Sequence, residues 1–125
     1  MAKILLIEDL PDNAKIVETI VNSLGHKMVW IDNGKDAVQK ALEEVPDLII
    51  LDLGLPDIDG QTLLASLRSE HLLREIPLII MTAWPEKAAL QMVQTYGLDG
   101  YIGKPFSVKE FMALITETLE GEDGN

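Results

Sequence analysis

The sequence predicts a single doubly wound α/β domain. Short apolar segments alternate with segments whose apolar residues recur at helical spacing, and this happens five times in succession. The third and fourth apolar segments, Asp47–Leu51 and Pro77–Met81, are apolar on both faces after their first residue, which is typical of parallel strands covered by helices on both sides. A length of 125 residues also suits one domain.

The first half of the chain supplies two strand–helix pairs. Each helix is recognised by apolar residues spaced three and four apart, and a glycine closes the first one. The predicted elements are strand Lys3–Ile7, a helix with the stripe Ile16, Val17, Ile20, Val21 and Leu24 closed by Gly25, strand Lys27–Ile31, and a helix with the stripe Ala37, Val38, Ala41, Leu42 and Val45.

The second half supplies three more pairs. Its fourth helix has mostly Ala and Met as apolar residues, so we expect it to pack most loosely, and Ser107 with Glu110 forms a capping box for the last helix. The predicted elements are strand Asp47–Leu51, a helix with Leu63, Leu64 and Leu67, strand Pro77–Met81, a helix over about Glu86–Tyr96, strand Asp99–Ile102, and a helix with Val108, Phe111, Met112, Ile115 and Leu119.

The connections then predict the topology. Right-handed crossovers and five strands favour a parallel sheet in the order 2-1-3-4-5 with helices on both faces, which is a flavodoxin-like arrangement. Ligands bind such sheets beyond the carboxyl ends of the strands, where strands 1 and 3 meet. We expect the domain to span residues 1–120 and an acidic flexible tail to span residues 121–125.

Composition excludes several classes of function. A formal charge of −11 disfavours nucleic acid and anionic membranes as direct partners. The absence of cysteine excludes disulfides, thiolate metal sites and a cysteine nucleophile. The first apolar run is only four residues long, too short for a signal peptide or a membrane span, so a cytoplasmic location is expected.

Chemically active residues follow the predicted strands. Strand 1 ends in Glu8 and Asp9, strand 3 in Asp52 and strand 4 in Thr82, while Lys104 follows strand 5. Each residue alone has an ordinary structural explanation, such as capping the next helix. Together they place three carboxylates, a hydroxyl and an ammonium at the predicted ligand site.

Three carboxylates in one crevice call for a cation. Two carboxylates about 4 Å apart repel by roughly 4 kcal/mol at an effective dielectric constant of about 20. Either one acid holds a proton, or a cation joins Lys104 in neutralising them. The two histidines, His26 and His71, are predicted to lie on the surface away from this site. Oxygen ligands alone favour Mg²⁺.

Such a group of residues suits phosphoryl transfer. Mg²⁺ and Lys104 would stabilise phosphoryl oxygens, and Thr82 would donate a hydrogen bond to another. Asp52 would be the nucleophile and would form an aspartyl phosphate. Gly54 and Pro56 would turn the chain away to admit the phosphoryl group, and the Gly54 carbonyl would be free to bind the metal.

Four motifs resemble the receiver domain of two-component response regulators, in particular the single-domain chemotaxis type. They are "IED" at Glu8 and Asp9, "LDLGLPDIDG" around Asp52, "MTA" at Thr82, and "YIGKPF" from Tyr101 to Phe106. Their order and spacing match that family along nearly the whole chain.

The resemblance implies roles for these residues. Asp52 would accept a phosphoryl group from a histidine kinase or a histidine phosphotransfer protein. Asp9, Asp52 and the Gly54 carbonyl would bind Mg²⁺ directly, and Glu8 would bind it through water. Lys104 would contact the phosphoryl group, before a cis bond to Pro105. Thr82 and Tyr101 would form a switch pair.

Signalling would then depend on docking or on relay of the phosphoryl group. The expected docking surface for a downstream protein is the face formed by helix 4, strand 5 and helix 5. A protein of this kind is a phosphoacceptor with at most slow self-dephosphorylation, not an enzyme in the usual sense. Trp84, two residues after Thr82, is unusually bulky for this position and is expected at the rim of the site.

Three alternatives remain open at this point. Phosphatases of the haloacid dehalogenase type also use an aspartate and Mg²⁺, but they need a second aspartate where this chain has Gly54. A flavin-binding module needs a phosphate-binding loop after strand 1, where this chain has acids. A receiver-like adaptor that is never phosphorylated could dispense with the acids and Lys104. Mass measurement after incubation with acetyl phosphate and Mg²⁺ separates all three from the receiver.

Overall fold

The computed structural model describes residues 1–123, which form five strands and five helices in strict alternation. In chain order the elements are β1 Lys3–Ile7, α1 Pro11–Ser23, β2 Lys27–Ile31, α2 Ala37–Glu44, β3 Leu48–Asp52, α3 Gly60–Ser69, β4 Leu78–Thr82, α4 Glu86–Tyr96, β5 Gly100–Gly103 and α5 Val108–Asp123. All strand pairs are parallel, and the sheet order is β2-β1-β3-β4-β5. The predicted fold class and strand order are confirmed.

Helices cover both faces of the sheet, as the apolar strands predicted. Alternate side chains of each strand point to opposite faces, so two separate clusters form. One cluster packs the sheet against α2, α3 and α4, and the other packs it against α1 and α5. The central strands β1, β3 and β4 are almost completely buried, as expected for strands with neighbours on all sides.

Most element bounds match the predictions, and the differences have local causes. β3 and β4 each end one residue later than predicted because the ladder continues, with Leu53 N–H donating to the Met81 carbonyl at 3.0 Å. α1 begins at Pro11, before its apolar stripe, because proline suits the first turn of a helix. Gly25 does close that helix, with a φ of 83°.

Three residues predicted for the core stripes are exposed instead: Ile16 on α1, Val45 after α2 and Val108 on α5. Val45 is the residue that caps α2, and its φ of 41° is unusual for a β-branched side chain. Ile16 and Val108 line a hollow on the surface of the protein. Their helical spacing is the same as that of buried residues, so the sequence pattern alone did not show that they are exposed.

The two ends of α4 are held differently. Near its carboxyl end, the Arg68 guanidinium donates to the carbonyls of Tyr96 and Gly97, each at 3.3 Å. The same guanidinium donates to the carbonyls of Arg74 at 3.2 Å and Ile76 at 2.8 Å, so it joins the end of α4 to the loop before β4. The amino end of α4 has no side-chain cap.

Two further features concern the chain ends. α5 continues to Asp123, so the predicted tail at 121–125 begins inside this helix, and its last two residues lie outside the described part of the chain. The Ser107 half of the predicted capping box is present, since Glu110 N–H donates to Ser107 Oγ at 3.2 Å. Within residues 1–123, no helix combines the length and apolar character that crossing a bilayer requires.

Candidate functional site

The carboxyl ends of the strands bring the predicted acids together. Leu6 of β1 and Ile50 of β3 pack in the same cluster, so alternation places Glu8 and Asp52, two residues further along each strand, on that same face. Glu8, Asp9 and Asp52 each offer a carboxylate oxygen, and these three oxygens lie within 4.8 Å of one another. The juxtaposition predicted from the strand ends is therefore present.

These acids differ in exposure, although they are neighbours. Glu8 is 0% exposed and Asp52 is 1% exposed, while Asp9 is half-buried at the opening of the site. Buried carboxylates are costly unless they are paired, protonated or bound to a cation. The structure shows pairing at Asp52, and burial raises the pKa of Glu8.

Asp52 is paired. Its Oδ1 accepts hydrogen bonds from Lys104 Nζ at 2.7 Å and from the Gly54 amide at 2.9 Å. Burial acts to raise the pKa of Asp52, but the adjacent Glu8 carboxyl group, the Lys104 ammonium and the Gly54 amide together outweigh it, and the pKa is lowered overall. Asp52 is thus held as a carboxylate, the form that a nucleophile requires.

The pKa of Glu8 is shifted the other way. Burial, followed by the adjacent carboxylate of Asp52, raises its pKa to about 7. Its Oε1 is buried without a hydrogen-bond partner among the described residues, and its Oε2 accepts a long bond of 3.4 Å from Leu10 N–H. A buried oxygen with an unused lone pair beside two other carboxylates suits a hydrated cation, and oxygen donors alone suit Mg²⁺.

Gly54 contributes through its backbone, as its position after β3 suggested. The contact seen is its amide with Asp52, whereas its carbonyl as a metal ligand stays a prediction. A Cβ added at Gly54 would lie 3.4 Å from Asp52 Oδ1, at ordinary contact distance. Glycine therefore leaves the space beside that oxygen open.

Thr82 ends β4 and is 1% exposed. Its Oγ1 accepts a hydrogen bond from Trp84 N–H at 2.9 Å, and its carbonyl accepts one from Lys104 N–H at 2.8 Å. Tyr101 pairs with Ile80 on the neighbouring strand and is half-buried against the cluster that includes α4. Thr82 is therefore linked both to the lysine loop and to the segment that starts α4.

Trp84 is 40% exposed. Its ring lines a groove of about 330 Å³ between α3 and α4, together with Gln61, Gln91 and Tyr96. Its backbone lies two residues from Thr82, as predicted, while its ring extends toward α4. Its role at the rim of the site stays a prediction.

An apolar hollow adjoins the acids on the α1 and α5 side. It has a volume of about 350 Å³ and is lined by Glu8 and Lys104 at one end and by Ile16, Phe106 and Val108 elsewhere. Ile16 and Val108 are exposed there. The polar centre of the site thus has an apolar surface directly beside it.

Some contacts at the site were not predicted from the sequence. The Trp30 indole N–H donates to the Glu8 carbonyl at 2.7 Å. Asp57 accepts hydrogen bonds from the amides of Gly34 at 3.0 Å and Lys35 at 2.9 Å, which tie the loop after β2 to the loop after β3. These contacts join residues more than twenty positions apart, and no local motif marks them.

The predicted surface histidines lie away from the site. His26 Nδ1 accepts a hydrogen bond from Ala2 N–H at 3.0 Å, at the amino end of the strands. His71 is exposed after α3. The acid cluster has no histidine in it.

Comparison with known proteins gives consistent results. The family model for the response regulator receiver domain matches residues 4–116. A polar-differentiation response regulator, DivK of Brucella anthropi, is 32% identical over 116 residues, which cover 93% of this chain and 94% of that protein.

Solved structures agree in fold. The Francisella response regulator 1452 receiver domain superposes with a TM-score of 0.88 at 25% identity, covering 98% of this chain and 99% of that one. The receiver domain of the sensor histidine kinase PA1611 from Pseudomonas aeruginosa superposes with a TM-score of 0.83 at 29% identity, covering 94% and 97%, and carries a magnesium ion coordinated in its active site cleft.

Proposed function

The chain belongs to the response regulator receiver domain family, and from that premise we propose that Asp52 accepts a phosphoryl group in a Mg²⁺-dependent reaction. The donor would be a histidine kinase or a histidine phosphotransfer protein. The phosphorylated protein would signal by docking to a downstream protein or by passing the phosphoryl group on. Receiver domains are signalling proteins rather than conventional enzymes.

One observation carries the proposal: a buried carboxylate, Asp52, lies beside both a cation and two further carboxylates. Lys104 Nζ lies 2.7 Å from Asp52 Oδ1, and oxygens of Glu8 and Asp9 lie within 4.8 Å of an Asp52 oxygen. A salt bridge alone would need Lys104 but neither of the extra acids. The extra acids are explained by a divalent cation.

The proposed transfer is a simple displacement. A carboxylate oxygen of Asp52 forms a bond to phosphorus while the bond from phosphorus to the donor nitrogen breaks. The bonding electrons stay on that nitrogen, and the histidine takes one proton from solvent and leaves as a neutral imidazole. With acetyl phosphate as donor, the broken bond is to oxygen and acetate leaves. Lys104 would move its hydrogen bond from Asp52 to a phosphoryl oxygen, and Thr82 would donate to another.

Mg²⁺, when bound, would supply positive charge for the phosphoryl oxygens as negative charge is redistributed. Asp9 and Asp52 would hold the ion directly with the Gly54 carbonyl, and Glu8 would hold it through water. The buried and unpartnered Glu8 Oε1 supports this assignment, since an ordered metal-bound water would satisfy it.

The test is the intact mass of the protein after incubation with acetyl phosphate and Mg²⁺. We expect a gain of one phosphoryl group, lost on chelation of the metal and absent in Asp52→Asn. A wild-type protein that gains no mass from acetyl phosphate or from a panel of histidine kinases would refute the proposal.

Asp59→Asn is the matched control. Asp59 lies in the same loop and caps α3 by accepting from Thr62 N–H at 3.1 Å. Asparagine caps helices as well as aspartate does, so this variant removes a nearby carboxylate without altering the helix. It should gain the phosphoryl group as wild type does.

The apolar hollow beside the acids is the surface we assign to the phosphoryl donor. A donor protein must bring its phosphohistidine directly over Asp52, so it has to cover the surface around the site. Ile16 and Val108 are exposed there and would be buried by such a contact. Nucleic acid and membrane remain unlikely partners on charge grounds, and a cytoplasmic location remains an expectation.

The second surface, formed by α4, β5 and α5, is proposed for the downstream protein. Thr82 would move toward the phosphoryl oxygens, and Tyr101 would move into the vacated space. Support comes from the hydrogen bond between Thr82 Oγ1 and Trp84 N–H, because movement of the hydroxyl would disturb the segment that leads into α4. Two of the eleven residues of α4, Ala89 and Met92, are buried, so its displacement would disrupt little packing.

A further inference from the structure

A hydrogen bond at the end of β1 links the acid cluster to the edge of the sheet. The Trp30 indole N–H donates to the Glu8 backbone carbonyl at 2.7 Å. Trp30 lies on β2 opposite Leu6 of β1, and side chains at paired positions of parallel strands point to the same face. The indole therefore extends along that face toward Glu8, two residues beyond Leu6.

The bond replaces a missing rung of the β-ladder. In a parallel ladder the N–H and C=O of a residue both bond to the same neighbouring strand. Glu8 N–H donates to the Ile31 carbonyl at 3.1 Å, but β2 ends at Ile31. Among residues 1–123, no amide of a turn or loop donates a hydrogen bond to the Glu8 carbonyl. The Trp30 indole N–H donates to this carbonyl instead.

Fixing this carbonyl also fixes the next residue. The peptide unit is planar, so the orientation of the Glu8 carbonyl sets the direction in which the chain leaves toward Asp9. Glu8 and Asp9 share this peptide unit, and both contribute oxygens to the acid cluster. A single bond from Trp30 therefore orients the unit that joins two of the three acids.

We propose that Trp30 is a positioning residue for the cation site: its indole N–H holds the Glu8–Asp9 peptide in the orientation that directs both carboxylates toward the ion. The inference rests on the proposed function, because it takes Mg²⁺ as the ion. Trp30 acts from outside the site and touches neither the ion nor the phosphoryl group. Its role explains why a large aromatic residue lies on an edge strand with its ring 40% exposed.

The first experiment compares Mg²⁺ affinity by calorimetry in wild type and Trp30→Phe. Phenylalanine keeps an aromatic ring but has no N–H. We expect the dissociation constant for Mg²⁺ to rise about threefold to tenfold. Loss of a residue that orients a metal ligand typically weakens metal affinity by about 10-fold to 100-fold, and a bond to the backbone should have an effect at or below the lower end of that range. Phosphorylation by acetyl phosphate should slow at low Mg²⁺ and return to the wild-type rate at saturating Mg²⁺.

Met28→Leu is the matched control. Met28 lies two residues before Trp30 on the same face of β2 and packs against the cluster that includes Leu6, but it makes no contact with the acid cluster, and leucine conserves its volume. This variant should keep the wild-type Mg²⁺ affinity. A purely structural role for Trp30 would lower the melting temperature of Trp30→Phe in EDTA and leave its Mg²⁺ affinity unchanged, and that result would overturn the inference.

A measurement on the unmodified protein serves even if Trp30→Phe does not fold. The indole N–H of Trp30 should exchange slowly with solvent, and its resonance should shift in ¹⁵N-resolved spectra when Mg²⁺ is added. The chain has two tryptophans, so the indole resonance that remains in the spectrum of Trp84→Phe belongs to Trp30. Suppose that the protein binds Mg²⁺ but the Trp30 indole N–H exchanges rapidly with solvent and its resonance does not shift. That result would overturn the inference about Trp30 and leave the proposed function standing. A wild-type protein that binds no Mg²⁺ would overturn the proposed function as well.

Discussion

At the scale of single residues, Glu8 and Asp52 show how two neighbouring buried carboxyl groups can have opposite pKa shifts. Burial and the neighbouring acid raise the pKa of Glu8, while the Glu8 carboxyl group and the hydrogen bonds from Lys104 and Gly54 overcome burial and lower the pKa of Asp52. Lys104 contributes to this difference, because it bonds to Asp52. The assignment of Asp52 as nucleophile follows from this asymmetry.

Removing one acid should stabilise the metal-free protein. Asp9 has its oxygen within 4.8 Å of oxygens of Glu8 and Asp52, and it forms no ion pair with any residue in the range 1–123. Asp9→Asn relieves this repulsion, so its melting temperature in EDTA should rise by about 2–5 °C, which corresponds to roughly 1 kcal/mol for a domain of this size. Differential scanning calorimetry measures the change.

Mg²⁺ should reverse the order of stability. The melting temperature of wild type should rise more on addition of Mg²⁺ than that of Asp9→Asn, because the variant lacks one of the proposed ligands. A lower melting temperature for Asp9→Asn in EDTA would contradict the repulsion argument. Asp12→Asn, on the first turn of α1, is the control for removal of a nearby negative charge.

Substitution of Trp84 is predicted to change the rate at which the phosphoryl group is lost. If its ring shields the acyl phosphate from water, Trp84→Ala should lose the phosphoryl group about threefold to tenfold faster, equivalent to roughly 0.7–1.4 kcal/mol of barrier. The decay of the phosphorylated species is measured by intact mass after the donor is removed. An unchanged decay rate with normal Mg²⁺ binding would mean that the ring serves only the groove between α3 and α4.

At the scale of elements, the sequence was most informative where periodicity and turn residues agree. The bounds of β1 and β2 were predicted to the residue, and the approximate range given for α4 matches the structure, since apolar strands or helical spacing are bounded there by turn residues. The early start of α1 was not, because its first turn is polar. Trp30, Asp57 and Arg68 were missed because each bonds to a distant backbone group, and such bonds depend on the completed fold.

Asp57 illustrates such a bond between elements, and it predicts a dependence on pH. The Gly34 amide, then that of Lys35, lowers the pKa of Asp57. A lowered pKa means that the carboxylate stabilises the fold above its unfolded pKa of about 3.9, and that this contribution is lost as the pH falls through the folded value. Asp57→Asn should therefore lower the melting temperature at pH 7 and have a smaller effect at a pH well below 3.8, where the carboxyl group is protonated in both states.

Thermal unfolding of wild type and Asp57→Asn between about pH 2 and pH 7, a range that spans the lowered pKa, tests this expectation. Asp57 is not assigned to the phosphorylation site, so Asp57→Asn should still gain one phosphoryl group at Asp52. A destabilisation that stays constant over the whole pH range would show that the charge of Asp57 contributes nothing.

At the scale of the whole molecule, the two proposed interaction surfaces share α5 but otherwise use different elements. The donor surface lies beside α1 and the first residue of α5, and the output surface is formed by α4, β5 and α5. Phosphorylation has to alter the second surface from a distance, and couplings of this kind typically amount to about 1–3 kcal/mol. Thr82 is the residue through which the two sides are connected in the structure.

Amide chemical shifts with and without a beryllofluoride phosphoryl mimic test this coupling. We expect changes at the loop after Asp52, at Tyr101 and along α4. In Thr82→Val, which keeps the shape of the side chain without the hydroxyl, the loop after Asp52 should still respond while α4 and Tyr101 should not. Changes confined to the Asp52 loop in wild type would refute the proposed output surface.

The four carbonyl contacts of Arg68 have a mechanical consequence for α4. They make the carboxyl end of the helix a pivot, whereas the amino end follows Trp84, which is bonded to Thr82. A helix of eleven residues is roughly 16 Å long, so a tilt of about 10° around that pivot would move its first residue by roughly 3 Å and its last residue hardly at all. The helix would act as a lever that amplifies a small shift of Thr82. The displacement would be largest near Glu86, so a partner that contacts this end of α4 would distinguish the two positions of the helix most strongly.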